Sequence, residues 1–133
     1  MLLIVARDHR LAQRRAVRLR ELAAERFVSF KPGHALRELT DELCRAAGFV
    51  PSIGFEGDES SSVRGFVAAG FGVGIVPVGG STAGLASLRI TEPRARRTIG
   101  IAWGADRYLS SAERAFREFV IQAAEERARI PSA

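Results

Sequence analysis

Two short runs of this 133-residue chain combine residue types and spacing that could do chemistry. The first is Lys31-Pro32-Gly33-His34-Ala35, a cation and an imidazole set around a Pro-Gly turn just before an apolar helical stripe. The second is Asp58-Glu59-Ser60-Ser61-Ser62, two carboxylates and three hydroxyls just before another. Both read as helix starts, where the first turn leaves backbone N–H groups without partners. Those N–H groups and the partial positive charge of the helix end suit a small anion such as a carboxylate. Pro77, closing an apolar run, belongs to the same edge. The bland alternative is that water and the serine side chains satisfy the same groups. Glu56, Asp58 and Glu59 have no partner that the sequence places, so no acid–base pair for catalysis emerges.

Other constellations fail on context. Gly70-Phe71-Gly72-Val73-Gly74 resembles part of a dinucleotide fingerprint, but it follows a helix and enters a strand, the reverse of what phosphate binding needs. His9, His34 and Cys44 match no metal-ligand spacing. Cys44 falls inside a helix rather than at its N-terminus, so it reads as a small buried hydrophobe. Ser60 to Ser62 lack a nucleophile elbow. No metal and no cofactor is expected.

The elements that must hold the two runs are strand–loop–helix units. Ser52 to Glu56 alternates polar and apolar residues and reads as a strand. Val63, Phe66 and Val67 recur at helical spacing, with Gly70 or Gly72 as the stop, and Val73 to Pro77 is a strand buried on both faces. Strand, helix and strand make a βαβ unit, and ligands bind at the carboxyl edge of such sheets. An earlier unit precedes it: strand Phe27 to Phe30, then a helix through Ala35, Leu36, Leu39, Leu43 and Ala46 or Ala47, ended by Gly48. Leu2 to Ala6 is an apolar strand, Val17, Leu19 and Leu22 suggest a turn and a short helix, and Leu85 to Ile90 is a strand. Arg97 to Trp103 reads as a further strand. Ser110-Ser111-Ala112-Glu113 is a capping box opening a helix out to about Arg129, with a face of Ala112, Ala115, Phe116, Phe119, Val120 and Ala123. Pro131 to Ala133 is expected to fray.

Composition sets the class: 47% hydrophobic and 26% charged residues describe one globular α/β domain over 1–133. No apolar run approaches the roughly 20 residues of a membrane span, and the first residues lack a basic leader. With a single cysteine, this points to a cytoplasmic protein. Net charge is +5, yet it is nearly all arginine interleaved with acids. The run from Arg7 to Arg20 reads as a solvated face, without a recognition helix, so no sequence-specific DNA binding is expected.

Against this frame, three blocks resemble the C-terminal effector-binding region of LysR-type transcriptional regulators. They are Phe27 to Phe30 with Gly33, Leu36 to Leu39 and Gly48 to Pro51; Glu56 to Glu59 with Val63 to Pro77; and Arg97 to Trp103 with Leu109 to Phe119. The resemblance implies the type II periplasmic-binding-protein fold, with two subdomains joined by two crossover strands and a small ligand between them. It makes residues 1–7 and 97–103 the crossovers, lying antiparallel side by side, and 110–129 the terminal helix. Strands Phe27 to Phe30, Ser52 to Glu56 and Val73 to Pro77 would be mutually parallel, in a mostly parallel sheet flanked by helices.

The family's winged helix-turn-helix and most of the first subdomain would be absent, so the chain resembles a fragment of a regulator. It would be non-catalytic and bind a small, anionic effector. The alternatives are a small enzyme or a solute-binding protein using the same cleft. An apolar terminal helix without its family partner implies a homodimer or higher homo-oligomer. Two departures stand out. Arg10 occupies a position that is usually proline, and His34 one that is often serine or threonine. The second lies at the ligand edge, so no relative's effector chemistry transfers directly.

Overall fold

The structure, a computed structural model, describes residues 1–104 and 108–129. The expected fraying of Pro131 to Ala133 lies outside the described residues. Contacts divide the chain into two compact units, 1–98 and 99–133.

The first unit is built on β1 (Leu2–Ala6), in which Leu3, Ile4 and Val5 are fully buried. Each such side chain is worth about 1.5–3 kcal/mol on burial, which makes β1 the central strand. Five further strands surround it: β2 (Ala16–Arg18), β3 (Arg26–Phe30), β4 (Ser52–Gly57), β5 (Gly74–Val76) and β6 (Leu85–Glu92). β1 lies between β5 and β6, antiparallel to both, and β2 adds to β6 in parallel. β3 and β4 form a parallel pair that joins β5 through a parallel bridge between Phe27 and Val73. All the described strands except β1 therefore run the same way.

One expected strand does not form. Residues 97–103 carry no regular structure, and β1 takes its antiparallel partners from β5 and β6 instead. The reason is geometric: a strand has two edges, and both edges of β1 are already paired. Ile99, Ile101 and Trp103, which give that stretch its strand-like alternation, are 76%, 56% and 48% exposed. The parallel arrangement of β3, β4 and β5 is as expected, though β5 reaches β3 only through the single bridge. Around Val17 the short helix forms as expected, a 3-10 helix at Leu19–Leu22, but the strand β2 precedes it where a turn was expected.

Helices α1 (Ala35–Ala46) and α2 (Ser60–Ala68) complete the unit. α1 buries Leu36, Thr40, Leu43 and Cys44, and the Thr40 hydroxyl donates to the Leu36 carbonyl at 2.8 Å, so it is not stranded in the core. α2 buries Val63, Arg64 and Val67. Side chains alternate along β1: Leu3 and Val5 join the cluster with Leu43 and Cys44, while Ile4 joins the one with Val63 and Val67. Gly72, with φ +149°, marks where β5 meets β3, because a Cβ there would sit 2.3 Å from the Arg26 carbonyl oxygen.

The second unit holds α3 (Ser111–Arg129). Its capping box forms as the sequence implies: the Ser110 N–H donates to Glu113 at 2.8 Å and the Glu113 N–H to the Ser110 hydroxyl at 3.3 Å. Arg117 stacks over Trp103 at 5.6 Å, while Phe116 and Phe119 stay 63% and 67% exposed.

Candidate functional site

The carboxyl ends of β3, β4 and β5 share one edge of the sheet, because these strands are parallel. β3 runs into the loop before α1, and β4 into the loop before α2. The Lys31 N–H donates to the Gly57 carbonyl at 3.2 Å, tying the two loops together.

The first loop is closed upon itself. His34 is the N-cap of α1, its Nδ1 accepting from the Leu36 N–H at 3.1 Å, and its ring stacks on Phe30 with centroids 4.6 Å apart. His34 thus serves here as the side-chain cap of α1. Pro32 and Gly33 turn the chain, the His34 N–H donating to the Lys31 carbonyl at 3.2 Å, and Ala35 begins the helix. Lys31 is paired with Asp58, Nζ to Oδ2 at 2.8 Å, and this hydrogen bond raises the lysine pKa. Both groups are more than half exposed, so the pair adds little stability but does cancel the charge.

The carboxylates without visible partners in sequence find them in space. Glu56 accepts from Arg37 Nη1 at 2.6 Å, and the same nitrogen donates to the Phe30 carbonyl at 3.1 Å. Arg37 Nε reaches Asp41 at 2.9 Å, so one guanidinium fastens α1, β3 and β4. Both carboxylates are thus engaged in ion pairs that hold the fold.

The second loop is different. Glu59 is the N-cap of α2 but its side chain makes no capping hydrogen bond; instead it accepts from the Ser61 hydroxyl at 3.2 Å. The helix start therefore presents N–H groups without a side-chain partner, so the serine part of the bland alternative does not form. Ser60 and Ser61 line a groove of about 450 Å³ that runs between α2 and residues 77–83, with Pro77 on its opposite wall. Thus the structure brings Ser60, Ser61 and Pro77 into one cavity. Lys31, Pro32, Gly33, His34, Ala35, Asp58, Glu59 and Ser62 do not line it.

One lining residue escaped sequence reasoning. Arg64 is only 7% exposed, yet it lies in the groove wall and donates to the carbonyls of Pro77 at 2.8 Å, Gly79, and Ser81 at 3.4 Å. The signal was present: an arginine sits directly after Val63 and three before Val67, on a helical stripe that must be apolar. Elsewhere, burial pushes the Cys44 thiol up to about 12, as befits an inert core residue. Among the described residues no three His, Cys, Asp or Glu side chains could hold a metal ion, and no helix is long and apolar enough to cross a membrane.

Comparison with known proteins adds to this geometry. The sequence profile of the LysR substrate binding domain matches residues 1–125. An uncharacterized HTH-type transcriptional regulator of Bacillus subtilis, YybE, is 42% identical over 123 residues, covering 91% of this chain and 42% of that protein. The transcriptional dual regulator GltC of the same organism is 36% identical over 125 residues, covering 90% and 41%. The chain thus spans about two fifths of the length of these relatives. Among solved structures, the effector binding domain of QuiR in complex with shikimate superposes with a TM-score of 0.86 at 29% identity, covering 94% of this chain and 61% of that one. The reduced form of OxyR gives 0.71 at 30%, covering 96% and 60%.

Proposed function

Because the chain belongs to the LysR substrate-binding domain family, we propose that it is the effector-sensing part of a transcriptional regulator and binds a small anionic metabolite where β4 passes into α2. The family is one of regulators, not enzymes. The observation that carries the proposal is the start of α2: a helix N-terminus with no side-chain cap, whose first-turn Ser60 and Ser61 line a groove of about 450 Å³ that runs along the flank of the helix. A helix end of this kind favours an anion through its N–H groups and its dipole. The loop before α1 supports the structure of the edge, since its cap and its lysine are already engaged. The shikimate held by QuiR is a hydroxylated carboxylic acid, a ligand class that hydroxyls and N–H donors suit.

In the whole regulator, ligand would bias the arrangement of the effector region and through it a DNA-binding dimer inside the cell. Linkage requires that the effector bind the two arrangements with different affinity. This chain would not itself read DNA sequence. It would associate with a second copy through the exposed apolar face of α3, where Phe116 and Phe119 lie bare.

Isothermal titration with shikimate tests the site. Ser61→Ala should weaken binding by about 1–2 kcal/mol, the scale of one hydrogen bond to a charged group, the Ser61 hydroxyl turning from Glu59 to the ligand on binding. Unchanged affinity would reduce Ser61 to a surface hydroxyl and remove the proposed site.

A further inference from the structure

The groove beside α2 carries a charge that nothing in it balances. Arg64 is 93% buried, from its 7% exposure, and no carboxylate lies within ion-pair distance of it among the described residues. By contrast, Arg10, Arg14 and Arg37 all have acidic partners. The residues lining the groove include no Asp or Glu. Burying a guanidinium without a counter-ion is costly, and carbonyl dipoles offset only part of that cost. The three carbonyls of Pro77, Gly79 and Ser81 take three of the five guanidinium N–H donors. One hydrogen on Nη1 and the one on Nε donate to no protein acceptor, and Nε is not sealed away unsatisfied in the core. The dipole of α2 adds positive potential at the Ser60 end of the same groove.

The loop is shaped to admit this side chain. Gly79 and Gly80 both have positive φ, and a Cβ on Gly80 would come within 3.0 Å of Arg64 Nε. The turn therefore lies directly against the guanidinium.

We infer that Arg64 is the charge partner of the effector, so that the groove between α2 and residues 77–83 selects a ligand carrying a full negative charge over its neutral analogue. The inference rests on the effector reading above and deepens it: Ser60 and Ser61 offer hydrogen bonds to acid and neutral ligand alike, whereas Arg64 discriminates between them. It also gives the loop a role, because an anion drawing on Arg64 competes with the carbonyls that hold residues 77–81.

The test is a titration of the chain with shikimate and with its uncharged methyl ester, followed by amide shifts of Ser60, Ser61 and Gly80. Sodium sulfate at constant ionic strength serves as a bare anion probe. Wild type should prefer acid over ester by about tenfold and respond saturably to sulfate. Arg64→Gln should bind acid and ester alike and lose the sulfate response. Should that variant unfold, Ala83→Glu on the exposed rim places a carboxylate in the groove, and it should abolish the acid preference without touching the core. Wild type binding acid and ester equally, or Ala83→Glu keeping the preference, would overturn the role of Arg64 and leave the effector reading standing. Wild type that responds to acid, ester and sulfate nowhere in the groove would overturn both.

Discussion

Gly72→Ala should be among the most damaging single substitutions in the first unit. A Cβ at this position would stand 2.3 Å from the Arg26 carbonyl oxygen and 3.0 Å from its carbon. Both obstacles are backbone, so no side chain can swing aside. The φ of +149° is also one that L side chains rarely adopt, a strain of about 1–3 kcal/mol. Relief requires β5 to move off β3. That movement gives up the Val73 N–H donating to Arg26 at 2.9 Å and the Val28 N–H donating to Val73 at 2.8 Å. With partial rehydration of these groups the whole effect comes to about 3–6 kcal/mol, against a domain stability of about 5–15. Urea unfolding followed by far-ultraviolet circular dichroism measures it as a fall in midpoint at unchanged slope. Gly33→Ala is the control: its φ is +83° but nothing lies within 4 Å of the added Cβ, so only the backbone cost of about 1–2 kcal/mol applies. If Gly72→Ala proves no more costly than Gly33→Ala, the claim that this contact joins the two strand groups is wrong.

Three further outcomes follow from the same structure. Glu21 is held at about 2, against an ordinary 4.5, by hydrogen bonds from Arg14 and then the Arg18 N–H. A depressed carboxylate stabilises above its unfolded pKa, and that contribution is lost as pH falls from about 4.5 toward 2. Unfolding midpoints of Glu21→Gln should therefore fall less steeply than those of wild type across this window, and identical slopes would contradict it. Cys44 is fully buried with its thiol pushed up to about 12, so a disulfide reagent near neutral pH should modify it only after urea unfolding. Rapid modification of the folded chain would refute the burial. Phe119, 67% exposed on α3, is expected to lie in a contact between copies, and Phe119→Glu should shift the chain toward monomer in analytical ultracentrifugation. A wild type that sediments as a monomer at high concentration would refute that.

Much of the first unit was legible because its signals are local. Gly48 and Gly70 stop α1 and α2 where the periodicity ends, and both carry positive φ. Cys44 is buried in α1 as its place inside the helix implies, but Thr40 faces inward as well, which a polar residue does not announce. The strand expected at 97–103 failed for a non-local reason. Alternation shows that a segment could pair, not whether an edge of β1 remains free. β2 escaped because three residues are too few for a period.

The candidate site divides along the same line. Ser60 and Ser61 were found because a helix start is written in adjacent residues. The pairing of Lys31 with Asp58 spans 27 positions and that of Arg37 with Glu56 spans 19, so neither was visible. Arg64 was missed because burial of a charge is decided by the loop at 77–81, which packs over it from another part of the chain.

The central claim is that a small anion binds beside the start of α2. The most direct measurement is a two-dimensional amide spectrum of the chain titrated with shikimate, assigned residue by residue. Saturable shifts should cluster at 58–62 and 77–83. Saturable shifts confined to the arginine-lined groove formed by Arg14, Arg18 and Arg20, with 58–62 and 77–83 unmoved, would contradict the account.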